Sequence, residues 1–458
     1  MRAIPFALAL LACPLLGPVA GQDSGEEEET KIDVSDGSAE EKAGEEPESE
    51  PNTAGLAGGK KDDGDEGAPK VESDLQKRIN EAIERGVEWL KKKQGKNGSW
   101  GPCKANRVYG TQETGDFTRD PTGPTSFALF TLAKCGVPKN HGSVKRGLAW
   151  LRENAVTSDK SGKNKAISLT TYESASIVLM VEALHHRSKK LTGKHTSRRY
   201  VADNPLRPPD RSPIPAQDWL WMHDLIQHVT VGKTISGGGA RGGGSTTTIP
   251  GCQNKGGGWR YGQANGDQDL SATQFVLLGL RAASQAGYPI EKTAPEVWKW
   301  SLAYLQSMQQ SDGAFGYQKG NPWSAGMTAA GAASLIICKE QMQICGQEVP
   351  SWVDGAIEKA LNHLDSVFDA GQNQGNHEGG SYHYYYLYGV ERIGDLTGRK
   401  EFNAKDWYVR GAELLLAHQG ADGEMSDGTC MEPRDTLGTC FALLFLKRAT
   451  PPTVTASN

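Results

Sequence analysis

No stretch of this chain is suited to crossing a membrane. Its one leader-like apolar run, residues 3–12, is too short for a stable anchor, so no transmembrane span is expected. Charge of one sign is also missing in the sum, with 50 Lys and Arg against 55 Asp and Glu and a net charge of -5. No nucleic-acid partner is expected from that balance. Segments with the two-residue alternation of a half-buried strand are absent, which argues for an all-helical domain without a sheet. The glycine-rich run SGGGARGGGSTTT, residues 236–248, follows no predicted strand and lacks a Gly-Lys-Ser/Thr ending. It is therefore not a phosphate-cradling loop. Cysteine is scarce: seven follow the leader, an odd number, so at least one is free even in an oxidising compartment. Cys135, Cys338 and Cys440 fall in apolar helices as packed thiols, while Cys103, Cys252 and Cys430 fall in turn regions where two of them could pair.

What the chain does have is internal repetition. RGVEWLKKKQGKNGSWG (85–101), SLAYLQSMQQSDGAFGY (301–317) and GAELLLAHQGADGEM (411–425) share one frame. Trp89-Leu90, Tyr304-Leu305 and Leu414-Leu415 close the apolar face of a helix. Gln94, Gln309 and Gln419 follow, then Gly98, Gly313 and Gly423 four residues on, where a chain leaving a helix needs positive φ. Trp100, Phe315 and Met425 fold back onto the helices. The glutamine amides are expected to bond the turn or a neighbouring repeat, tying one unit to the next.

This frame resembles the repeat of the terpene cyclase and protein prenyltransferase β-subunit superfamily, the Gln-Trp repeat of squalene-hopene cyclases. The resemblance implies an (α/α)6 toroid in which about six helix-turn-helix units close into a double ring. Six units fit the chain, with second helices near 125–134, 171–185, 270–283, 325–340, 384–393 and 436–447. Most of these are apolar nearly all round, as in FALFTLA (127–133) and FALLFL (441–446), so they form the inner ring. The first helices carry charge on one face and form the outer ring; that of the third unit, near 218–228, is poorly defined. The run at 384–398 followed by 406–423 resembles terpene-cyclase-like repeat proteins of bacteria such as planctomycetes.

The remaining organisation follows from composition. Residues 1–21 read as a secretory signal peptide, with Cys13 as an alternative lipidation site. Residues 22–70 hold 17 acidic and 5 basic residues and almost no branched or aromatic ones, so an acidic disordered linker is expected ahead of a mildly positive body. The toroid spans 71–449, interrupted at 189–250 by proline-rich and glycine-rich runs that are expected to bury no core, and 450–458 reads as a disordered tail.

Candidate chemistry gathers where turns and inner-helix starts converge. Trp259 and Tyr261 read as aromatic walls of a ligand cleft, with Asp267, Asp269 and Ser271 at the entry to an inner helix. The resemblance implies a role for this segment: Asp267 to Ala272 is similar to the family's Asp-x-Asp-Asp-Thr-Ala, with Asp269 at the proton-donor position and Leu270 where the next Asp would stand. Asp is equally a preferred helix cap. The family's zinc prenyltransferases need a thiolate and an imidazole where Ser271 and Gly438 stand, so neither metal nor other cofactor is expected. Tyr317, Trp323, His383, Tyr384, Tyr385 and Asp435 complete the ligand-binding candidates. His377, Glu378 and His383 beside the tyrosines also supply the residue types of a polysaccharide lyase. The expectation is an exported toroid that binds an elongated lipid-like or polysaccharide ligand; the alternatives are a terpene cyclase driven by Asp269 and Asp267, a lyase, or a scaffold for an envelope partner protein.

Overall fold

The computed structural model describes residues 73–101, 121–155, 169–185, 201–210, 212–230, 234–237, 245–248, 257–260, 268–375, 382–426 and 436–450. The leader, the acidic segment 22–70, Cys103, Cys252 and Cys430 lie outside them.

The described helices are, in chain order, α1 (Asp74–Lys92), α2 (Thr122–Lys134), α3 (Gly142–Asn154), α4 (Thr171–His185), α5 (Ala216–Thr230), α6 (Leu270–Gln285), the short α7 (Ile290–Thr293), α8 (Val297–Met308), α9 (Ala325–Ile344), α10 (Val353–Val367), α11 (His383–Thr397), α12 (Trp407–His418) and α13 (Thr436–Lys447). Two kinds alternate. In α1, only one stripe is buried, Ile79, Ala82, Gly86, Val87, Trp89 and Leu90, and Ser73 caps its start by accepting from the Gln76 amide. In α2, α4, α9 and α13, buried residues run all the way round. The start of α4 is fixed by a reciprocal capping box, in which the Thr170 amide donates to Glu173 (2.6 Å) and the Glu173 amide to the Thr170 hydroxyl (3.2 Å).

The buried helices close a ring: α2 packs on α4, α4 on α6, α6 on α9, α9 on α11, α11 on α13, and α13 returns to α2. The others surround it, giving the (α/α)6 toroid. Their placement differs from the pairing read along the chain. Outer helices α3, α5, α10 and α12 pack on the inner helix that precedes them, and α1 packs on α13 from the far end of the sequence. The chain is thus closed by its two ends.

The repeated turns explain how. Gly98, Gly313 and Gly423 have φ between 91° and 97°, and a Cβ on each would fall 2.3–2.6 Å from a carbonyl oxygen of the next outer helix: Arg146, Lys359 and Arg85 respectively. Only glycine tolerates both the angle and the approach. Each glutamine makes the tie expected of it. Gln94 Nε2 donates to Gly98 O and Ser143 O (both 2.8 Å), Gln309 to Gly313 O (3.2 Å) and Ala356 O (2.8 Å), and Gln419 to Gly423 O (3.2 Å) and Ala82 O (2.9 Å). The last of these joins the sixth unit to the first. Trp100, Phe315 and Met425 then donate their amides to Thr125, Thr328 and Thr439 on the inner helices.

Three expectations are corrected. The domain is mostly helical but holds two small antiparallel pairs, β1 (Thr234–Gly237) with β2 (Ser245–Thr248), and β3 (Glu401–Phe402) with β4 (Lys405–Asp406). The first pair lies in the glycine-rich run, where serine, threonine and isoleucine suit extended backbone. The helix expected near 218–228 is α5, a 15-residue helix on α4, and the run ahead of it is not without buried residues. The proline-rich run ahead of it is anchored by buried Ile214 and by the Trp219 indole, which donates to Pro205 O at 2.8 Å. Thr450, read as the start of the tail, is buried, its amide and hydroxyl donating to Glu391. Of the described cysteines, Cys135 is a free thiol that burial pushes up to about 12, and Cys338 and Cys440 are buried in α9 and α13.

Candidate functional site

Six aromatic side chains from five of the six inner helices meet at the centre of the ring. Phe127 of α2 lies 5.0 Å from Phe441 of α13 and 6.1 Å from Phe275 of α6, centroid to centroid. Tyr172 of α4 meets Phe275 edge-on at 5.2 Å. From α11, Tyr385 stacks on Phe275 (6.4 Å) and meets Phe441 edge-on (5.6 Å), while Tyr388 lies 5.7 Å from Phe441. All six are buried. Each such pair contributes about 0.5–1.5 kcal/mol beyond its buried area, so the cluster holds the inner helices in a fixed geometry. The sixth inner helix, α9, contributes no ring to the cluster and carries small buried residues, among them Gly326, Ala329, Ala330 and Ala333.

Polar groups join this cluster at the start of α6. Asp269 is fully buried and caps the helix, its Oδ1 accepting from the Ala272 amide at 2.6 Å, and its Oδ2 lies 3.9 Å from Arg260 Nε. Ser271 Oγ lies 2.9 Å from the Tyr385 hydroxyl, which also accepts from Gln274 Nε2. Burial pushes that hydroxyl up to about 12 against the opposing pull of Arg392, so Tyr385 stays protonated near neutral pH.

The other candidates are scattered. Trp259 is not on the cluster: its indole is buried and donates to Val229 O (2.7 Å), and its amide donates to Thr273 Oγ1 (3.0 Å). Gly257 before it has φ of 92° and a Cβ site 1.8 Å from Trp300 O. These are the contacts of Gly98 and Trp100, so Gly257 to Trp259 is a fourth copy of the repeat turn. Its signal was the Gly-Gly-Trp itself with Thr273 fourteen residues on, the spacing of Met425 and Thr439. Tyr317 takes part through its backbone, accepting from the Leu270 amide at 2.9 Å. Trp323 meets His363 edge-on at 4.7 Å. His383 opens α11, its Nε2 2.8 Å from Ala370 O, and Tyr384 beside it is fully buried. Asp267, Tyr261, Asp435, His377 and Glu378 lie outside the described residues.

Buried charge is the feature that reading the inner helices as apolar missed. Arg281 of α6 makes a bidentate pair with Glu340 of α9 at 2.6 and 3.0 Å, and Lys134 of α2 meets Glu182 of α4 at 3.2 Å. On α11, Asp395 pairs with Arg448, and Glu391 takes both donors of Thr450. Burial, and next the charge of Asp395, hold the Glu391 carboxyl well above the usual range. Their neighbour Arg392 is fully buried, with Glu391 as a charge neighbour and its Cζ 4.3 Å over the Tyr388 ring. Among the described residues, no three His, Cys, Asp or Glu side chains form a metal-sized group, and no helix is long and apolar enough to cross a membrane.

Residues 69–175 match the family model described as the squalene-hopene cyclase C-terminal domain, a span that includes the Gln94–Trp100 turn and the first inner helix. That match supports the terpene-cyclase-like resemblance. No curated protein matches the chain. Among solved structures, it is similar to a variant of the type II terpene cyclase MstE from Scytonema in complex with geranylgeranyl dihydroxybenzoate, at 13% identity, TM-score 0.44, covering 82% of this chain and 98% of that one. A family 76 glycoside hydrolase from a bovine Bacteroides thetaiotaomicron strain is similar at 10% identity, TM-score 0.47, covering 83% and 77%. A polysaccharide lyase is similar at 8% identity, TM-score 0.45, covering 82% and 97%.

Proposed function

We propose that this protein binds an elongated, largely apolar ligand in the centre of its toroid, and that it does so outside the cytoplasm, to which the leader at residues 1–21 points. The convergence of Phe127, Tyr172, Phe275, Tyr385, Tyr388 and Phe441 carries the reading. Rigid aromatic faces from five helices suit a chain of methylene or isoprenoid units better than a hydroxyl-rich sugar, which needs many exposed polar partners. Proton-donating cyclase chemistry is the second reading. Asp269 favours it by position, but its Oδ1 is engaged as a cap and its Oδ2 faces a guanidinium. Both interactions stabilise the carboxylate, whereas an alkene must be protonated by the acid.

Titration calorimetry with farnesol and with an oligogalacturonide separates the readings. Saturable farnesol binding, weakened about tenfold or more by Phe275→Ala, is the expected result, since losing one central aromatic anchor typically costs 1.4 kcal/mol or more. Binding of the oligosaccharide alone, or an unchanged affinity in Phe275→Ala, would overturn the proposal. Conversion of farnesol or a longer polyprene, abolished by Asp269→Asn, would replace it with the cyclase.

A further inference from the structure

The first repeat turn departs from its copies most of all in charge. Their common contacts put the three in register. Gly98, Gly313 and Gly423 meet the carbonyls of Arg146, Lys359 and Arg85, and the glutamines reach the carbonyls of Ser143, Ala356 and Ala82, each three residues earlier. In this register Lys91, Lys92, Lys93 and Lys96 stand where the fourth unit has Gln306, Ser307, Met308 and Ser311, and the sixth has Leu416, Ala417, His418 and Ala421. Asn97 replaces Asp312 and Asp422. On the outer helix that receives the turn, Lys145 replaces Glu358 and Glu84.

The copies show that the scaffold needs none of these lysines, and they show what the missing acid does. Asp422 Oδ1 accepts from the Glu424 amide and its Oδ2 from the Trp89 indole, both at 3.2 Å. Asp312 Oδ1 accepts from the Ala314 amide at 3.1 Å, and its Oδ2 lies 3.4 Å from His363 Nδ1. Asn97 keeps the first contact, to the Ser99 amide at 3.1 Å, and drops the charge.

The cations share one surface, because Arg146 Nη2 donates to Gln94 Oε1 at 2.8 Å and holds the turn against α3. Lys92, Lys93, Lys96, Lys145 and Arg146 are exposed, and none has an acidic partner among the described residues. Lys91 alone is neutralised, by Glu88 at 2.7 Å. At the Gly257 turn, Lys299 takes the place of Lys145, but there Glu296 stands 3.6 Å away. Burial, and next the charge of Lys91, hold the His141 imidazole of this sector below its usual range.

We propose that this sector of the rim is a docking surface for an acidic polysaccharide, separate from the central aromatic cluster. Ammonium groups act as point charges and suit a polymer with anions spaced along it, while the one guanidinium fork is already engaged by Gln94. A bilayer would press on the whole turn end of the ring, where other units expose Asp312, Asp422, Glu84 and Glu358. A linear polymer crosses only the positive sector. No exposed ring stands there for nucleic-acid bases to stack on, since the exposed large apolar side chains among the described residues are Leu206, Leu220 and Tyr382.

The test is equilibrium binding of an oligoalginate to the full chain, with neutral maltohexaose, phosphatidylglycerol vesicles and single-stranded DNA as comparisons. The oligoalginate is expected to bind most tightly and to lose about tenfold or more in affinity between about 50 and 300 mM salt, and maltohexaose not to bind. The triple variant Lys92→Gln, Lys93→Gln, Lys96→Gln should bind about tenfold or more weakly with an unchanged melt. Lys319→Gln with Lys359→Gln, at the fourth unit's turn, should bind as wild type does. Restoring the acids of the repeat gives a second readout. Asn97→Asp with Lys145→Glu should melt no lower than wild type, because Trp150 stands where Trp89 donates to Asp422, and yet should bind as weakly as the triple variant. Phe275→Ala should leave the binding unchanged, which separates this surface from the central site. Failure of the oligoalginate to bind, equal binding by the triple variant, or tighter binding of vesicles or DNA would overturn the inference.

Discussion

Neighbouring inner helices α9 and α11 follow different rules. In α9, Ser324 caps the start by accepting from the Met327 amide, Thr328 receives the amide of the turn residue Phe315, and the first half is rich in alanine and glycine. In α11, the cap position is Tyr382, held at φ 61° and ψ 34° with no side-chain cap, and the helix carries four tyrosines and a buried Glu391-Arg392. A bulky residue in the left-handed region is strained by about 1–2 kcal/mol, which the surroundings must offset. The contrast teaches that obedience to the repeat marks the shared scaffold, and that departure from it costs strain and buried charge that the rest of the ring must offset.

The largest effect should come from breaking the scaffold at its tightest approach. Gly257→Ala forces a Cβ onto Trp300 O at a φ of 92° and should cost more than about 4 kcal/mol, read as loss of the cooperative urea transition. Retained stability would mean that the turn at Gly257 is not a true copy. Gln419→Ala should come next, losing the bonds that hold the sixth unit to Ala82 of the first, for about 2 kcal/mol. A smaller loss than for an exposed control such as Gln372→Ala would break the idea of closure through this side chain.

On α11, the raised Glu391 gives a pH test. A carboxyl whose folded pKa lies above its unfolded value binds more protons when folded, so stability declines as pH rises from about 4.5 towards about 8 and is flat beyond. Glu391→Gln should remove on the order of 1–2 kcal/mol of that decline, seen as convergence of the variant and wild-type slopes from pH 5 to 8 if wrong, and divergence if right. Smallest is the cap at α6: Asp269→Ala should lose about 1 kcal/mol and Asp269→Asn only a few tenths, because asparagine keeps an accepting oxygen. Equal losses in a thermal melt would show that the Arg260 pair, not the cap, is the stabilising contact.

The scaffold was legible because its physics is local and repeated. Gln94, Gln309 and Gln419 announce their turns by spacing alone, and Asp269 announces a helix start. The copy at Trp259 escaped because the glycine-rich segment separates it from its helix, so no glutamine stands in register. The packing of α1 on α13 was beyond local pattern, since nothing in residues 74–92 names a partner more than 300 residues away. The buried charges of α11 escaped for another reason. Period identifies which face a residue occupies but says nothing of what meets a buried charge, and that depends on Thr450 and Arg448 from other parts of the chain.

Photo-crosslinking with a benzophenone-bearing farnesyl ether, followed by peptide mapping, tests the central claim most directly. The aromatic-centre account predicts saturable labelling of the inner helices, foremost the α11 peptide that holds Tyr385 and Tyr388, with protection by excess farnesol. Labelling confined to outer helices such as α3 or α10, or labelling that farnesol does not compete away, would contradict it.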